Sequence, residues 1–105
     1  MAGQPFDPVK ARVLQWMLGV EPKSLRAREE KHVLLRSRLN LQRDLQEKGT
    51  ARDTPIWVSP EGVVQDGHHA CRVAIEFGEA VDVVVSPLSD RMGEPIENLL
   101  IVEDE

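Results

Sequence analysis

Apolar residues recur at one period in the first half of this chain and at another in the second. Val9, Val13, Trp16 and Met17 fall at i, i+4, i+7 and i+8, which is one stripe of a helix. Asp7-Pro8 supplies a start, since Asp caps free amides and Pro at the first helical position gives up a hydrogen bond that a helix end does not make. With Gly19 as a stop, the spacing predicts a helix over residues 7–18. Val20-Glu21-Pro22 interrupts it, because Pro drives its predecessor away from helical angles, and Ser24 offers a new cap. The helix formers that follow predict two helical pieces within residues 24–48, closed by Gly49. Leu34, Leu35, Leu39, Leu41 and Leu45 would form their buried side, opposite Arg36, Arg38 and Arg43.

Beyond a linker at Thr50 to Thr54, the pattern becomes extended. Pro55 opens Ile56-Trp57-Val58, a short β-rich run ended by the turn residues Ser59-Pro60-Glu61-Gly62. Val63-Val64-Gln65 resumes the strand and stops at Asp66-Gly67, so the two runs read as a hairpin. Ala70, Val73, Ala74 and Phe77 then sit at i, i+3, i+4 and i+7, a helix that Gly78 terminates. Val81-Asp82-Val83-Val84-Val85 is a further strand, bounded by Ser86-Pro87. In the C-terminal segment, residues 86–105, Ile96, Leu99, Leu100 and Val102 can dock as a short helix or strand. Glu103-Asp104-Glu105 reads as a frayed acidic end. The expected fold is α+β: N-terminal helices followed by a small β-β-α-β core.

A chain of 105 residues suffices for one compact domain and is short for two. Its 41% hydrophobic and 30% charged content is globular rather than disordered, but two Trp, two Phe and no Tyr leave the core to aliphatic side chains, with Trp16 and Trp57 as its expected anchors. The start of the chain lacks a secretory pattern and no apolar run is long enough for a membrane helix, so the expected location is cytoplasmic with no membrane partner. The single Cys71 agrees with a reducing compartment; as a free thiol it is either reactive, near a helix start and two imidazoles, or a small buried hydrophobe. The net charge of −5 conceals an asymmetry: residues 1–50 carry ten Lys/Arg against six Asp/Glu, residues 51–105 three against twelve. The two halves are expected to attract one another, while the overall sign disfavours nucleic acid as a partner.

The candidate chemistry lies at Val64-Gln65-Asp66-Gly67-His68-His69-Ala70-Cys71-Arg72, where a strand turns sharply into a helix. First-turn amides of a helix lack internal partners and carry partial positive charge, which makes such a junction an anion site. His68, His69 and Arg72 add donors, while Asp66 either caps the turn or acts as a carboxylate. Arg72 has an alternative partner in Glu76 at i+4. Asp66, His68 and His69 lack an identifiable further ligand, so no metal site is expected.

Pro55-Ile56-x-Val58, a Gly-bearing turn, Val64-x-Asp66-Gly67-His68-His69, Arg72, Ala74 and Gly78 together resemble the ParB-like nuclease domain of the ParB/sulfiredoxin superfamily. The likeness covers residues 39–85; residues 1–38 read as a helical extension outside it. What the resemblance implies is a small α/β core that binds a nucleotide (ATP, ADP or CTP, with magnesium) at this junction. Gly67, His68, His69 and Arg72 would surround the phosphates, and Asp66 and His69 are the catalytic candidates for phosphoryl transfer or for nuclease or nucleotide hydrolysis. The arginine that commonly follows the two histidines is Ala70 here, and Cys71 lies three residues beyond the place of the sulfiredoxin cysteine. The alternative is a catalytically degenerate form of the fold acting as an interaction or regulatory module, with a protein partner or self-association through residues 7–48.

Overall fold

The parallel pairing of two short apolar runs organises the chain in the computed structural model, which describes residues 3–49 and 55–104. In chain order the elements are β1 (Trp16–Val20), β2 (Arg26–Arg28), β3 (Val33–Leu35), α1 (Arg36–Glu47), β4 (Ile56–Val58), β5 (Val64–Asp66), α2 (His68–Phe77), β6 (Val81–Val85), β7 (Met92–Pro95) and β8 (Leu100–Val102). The expected linker at Thr50 to Thr54 and the final Glu105 lie outside the described residues.

A four-stranded sheet runs β1-β6-β4-β5. Its centre is the parallel pair β4 and β6, in which Ile56, Trp57 and Val58 face Val83, Val84 and Val85. β5 folds back on β4 as the expected hairpin, held at its turn by the Ser59 hydroxyl, which accepts from Val63 N–H at 3.1 Å. Since β4 and β6 are parallel, the chain must cross from one end of the sheet to the other between them, and β5 and α2 make that passage. Two small pairs complete the structure: β2 with β7, antiparallel, and β3 with β8, parallel.

The core is aliphatic, as the composition implied. Val58, Val83 and Val85 from the sheet pack with Val73 and Cys71 from α2, Leu39 from α1, and Leu25, Leu34 and Ile96 from the segments around them. Each such side chain, once fully buried, contributes roughly 1.5–3 kcal/mol of transfer free energy. Trp16 and Trp57 are not the anchors expected of them: both lie in register across the sheet beside Val84, and Trp16 is 57% exposed.

The helical reading of the first half holds only for α1. Asp7 does cap a turn, accepting Val9 N–H at 3.0 Å, but the chain then turns again and Leu14 adopts a φ of 62°. Residues 16–20 are strand β1, because β6 is a buried β-branched strand whose free edge needs a backbone partner, and that demand overrides the local stripe. Ser24 accepts from Phe6 N–H instead of capping a helix. From Leu25 the true period is two: Leu25 and Ala27 are buried while Arg26 and Arg28 are only partly so, which makes β2. Glu103 and Asp104 of the acidic end are not frayed either. Glu103 takes Arg36 through both carboxylate oxygens, and Asp104 accepts Ser37 N–H at 2.7 Å, capping α1 from a distant part of the chain.

Two leucines assigned above to one buried side of α1 differ in the structure: Leu39 is fully buried and Leu41 is 62% exposed. Leu39→Ala is therefore expected to lower stability by roughly 2–5 kcal/mol, and Leu41→Ala to change it by less than about 0.5 kcal/mol. Urea unfolding of both variants checks the assignment.

Candidate functional site

β5 ends at Asp66 and α2 begins at His68, with Gly67 between them at φ 109° and ψ 26°. A side chain at Gly67 would be strained in that conformation. Gly67 also brings no side chain to the helix start, and among the described residues no side-chain cap closes it, so the first-turn amides of α2 keep their positive end open.

A cavity of about 520 Å³ opens at this point. Asp66, Gly67, His68 and His69 line it together, as the sequence suggested, and Ala70 lines it too. The facing wall carries Arg28 at the end of β2, Lys31 just beyond, and Arg38 in the first turn of α1. Sequence reading missed this wall, because the stretch around Arg28 and Lys31 looked helical and Arg38 looked like solvated surface. The clue available was that Arg28 and Lys31 lie in the basic half of the chain, whose excess charge had to face something.

His68 is only 5% exposed, and its Nε2 is buried without a hydrogen-bond partner among the described residues. Its pKa is pushed down to about 4, first by burial and then by Lys31 and Arg28. His69 is likewise held near 4 by burial, Lys31 and Arg38, with Asp104 pulling weakly the other way. His69 Nε2 accepts Leu35 N–H at 3.1 Å, which ties the start of α2 to the start of α1. That bond places the proton of the neutral ring on Nδ1 and commits the other nitrogen, so Nδ1–H is the group His69 has left to donate.

The cations are poorly compensated. Among the described residues Arg28 Nε is buried with no hydrogen bond; the carboxylate of Glu30 is 3.8 Å away, too far for one and too exposed to matter much. Lys31 and Arg38 make no ion pair within 4.0 Å among the described residues. Burial, Arg28 and Arg38 all lower the Lys31 pKa.

Arg72 and Cys71 are placed elsewhere. Arg72 Nη1 donates to the carbonyls of Ile96 and Leu99 at 3.1 and 3.0 Å, clasping the turn between β7 and β8, and it does not line the cavity. Its alternative partner Glu76 is taken by Arg43 at 2.8 Å. Cys71 is fully buried, its thiol pushed up to about 12 by burial, so it is the small core hydrophobe of the two alternatives. Among the described residues no three His, Cys, Asp or Glu side chains come together to hold a metal ion.

No family model, curated protein or solved structure matches this chain. The fold and site define a small α+β protein with a basic cavity at a helix start. No described helix is long and apolar enough to cross a membrane.

The histidines give the site a pH signature. The folded rings stay neutral down to about pH 4, whereas in the unfolded chain they take protons near 6.5. Their contribution to stability is thus complete above pH 6.5 and is lost as pH falls through 6.5 toward 4, by up to about 1.4 kcal/mol per pH unit for each ring. Urea midpoints measured across this window should fall with pH, and fall less steeply when His68→Leu and His69→Gln are combined.

Proposed function

We propose that this chain is a nucleotide-binding protein of the ParB/sulfiredoxin kind, seating the phosphates of its ligand in the cavity at the start of α2. The observation that carries this reading is the meeting of Arg28, Lys31 and Arg38 at the start of α2, with no ion pair within 4.0 Å for Lys31 or Arg38 among the described residues. Like charges gathered in a half-buried space repel one another, and an anion relieves that repulsion while supplying acceptors to Arg28 Nε and His68 Nε2. The order β4-β5-α2-β6, with Asp66-Gly67-His68-His69 at the strand-helix junction, is the order the resemblance implies and supports it.

The donor missing at Ala70 is made good, in this reading, from the opposite wall by Arg28, Lys31 and Arg38. Gly67, His68 and His69 supply amides and ring N–H groups, and Arg72 holds the fold. Should the bound phosphate also react, Asp66 and His69 are the polar groups at the cavity to which phosphoryl transfer or hydrolysis would fall. A second reading, an interaction module that no longer binds nucleotide, draws on one observation: Leu14, Trp16 and Leu18 are all exposed at the edge of the sheet.

Calorimetric titration with ATP, ADP, CTP and GTP separates the two. The nucleotide reading expects saturable binding to at least one of them, weakened roughly tenfold by Arg38→Ala and by Lys31→Ala. Absence of heat with all four, from a protein shown by circular dichroism to be folded, leaves the interaction module.

A further inference from the structure

We propose that the cavity holds the phosphate chain of its ligand without a divalent metal, the charge being met instead by Arg28, Lys31 and Arg38. The inference rests on the nucleotide reading above and departs from the magnesium expected with it. Magnesium bound at a phosphate site keeps several waters and is anchored by one or two carboxylates together with the phosphates. The lining is a poor match for it: among the described residues it offers one carboxylate, Asp66, the fewest such an ion takes, and sets three cations against it. His69 cannot stand in as a ligand through Nε2, which already accepts Leu35 N–H.

The cations are also distributed in a way that suits a chain of phosphates. Arg28 acts on His68, Arg38 acts on His69, and Lys31 acts on both rings. All three cations line the cavity together with the two-histidine turn, so positive charge is spread over its wall rather than held at one point. A linear polyphosphate can lay successive oxygens against such a wall, each meeting a side-chain or amide donor. A metal already on that chain would cancel two of its negative charges and set a further positive charge beside Lys31, an ammonium that Arg28 and Arg38 already crowd. Among the described residues, Arg28 Nε–H and Nε2 of the almost wholly buried His68 lack hydrogen-bond partners, and the anion would accept from both with the His68 proton on Nε2.

Calorimetric titration with ATP and with sodium tripolyphosphate, each in EDTA and again in excess magnesium, tests this. Binding roughly fivefold tighter in EDTA for both ligands is expected, with the preference lost in Lys31→Ala. Arg38→Ala, at an exposed position, serves as the second variant should Lys31→Ala fail to fold. Binding that is tighter in magnesium, or that requires it, overturns the metal-free inference and leaves the nucleotide reading standing. No heat in either buffer from folded protein removes the nucleotide reading and this inference with it.

Discussion

The parallel contact between Ile56–Val58 and Val81–Val85 sets most of what surrounds it. Parallel strands cannot be joined by a tight turn, so the chain has to climb back across the sheet, and it does so through β5 and α2. The reversal from strand to helix happens at Gly67, in a backbone region open to glycine and strained for other residues. The first turn of α2 then presents its unpaired amides next to the ends of β2 and α1. The site is a by-product of how the core closes: Val73 and Cys71 of α2 must face Val83 and Val85, and that rotation of the helix turns His68 inward as well.

Electrostatics completes the site by what it leaves over. The basic and acidic halves of the chain do attract one another, through Arg36 with Glu103 and Arg43 with Glu76. Each of these pairs is at least partly in water and adds little stability by itself. Their structural consequence is allocation. Acids of the second half are used along α1, while Lys31 and Arg38 stay without an ion-pair partner among the described residues, facing the cavity beside Arg28. Burial, with the nearby cations, keeps both rings neutral, and Leu35 N–H fixes the tautomer of His69, so the turn offers hydrogen bonds and the wall offers charge.

The second half was legible because its signals are local. Ser59-Pro60-Glu61-Gly62, Asp66-Gly67 and Gly78 punctuate runs of clear period, and β4, β5, α2 and β6 lie where those signals put them. The first half was misread because its strands are specified by distant partners. Trp16 and Met17 pair with Val84 and Val83, and Val33–Leu35 pairs with Leu100–Val102, relations that no window of sequence contains. The stripe from Val9 to Met17 is a real helical pattern that lost to a strand edge. For the same reason the turn Asp66-Gly67-His68-His69 could be found from sequence, whereas Arg28, Lys31 and Arg38 could be brought to it only by the fold. Arg72 illustrates the converse: its position beside the motif suggested phosphate, and its reach to Ile96 and Leu99 gave it another task.

The central claim is that the start of α2 and the wall opposite it form one anion site. Two-dimensional amide and arginine Nε–H nuclear magnetic resonance during titration with ATP addresses it most directly. The account predicts the largest shifts at the amides of Gly67, His68, His69 and Ala70 and at Arg28 Nε–H, with Arg72 and the indole of Trp16 little changed. Shifts centred on Trp16 and Leu18, or none along the α2 start at saturating ligand, would contradict it.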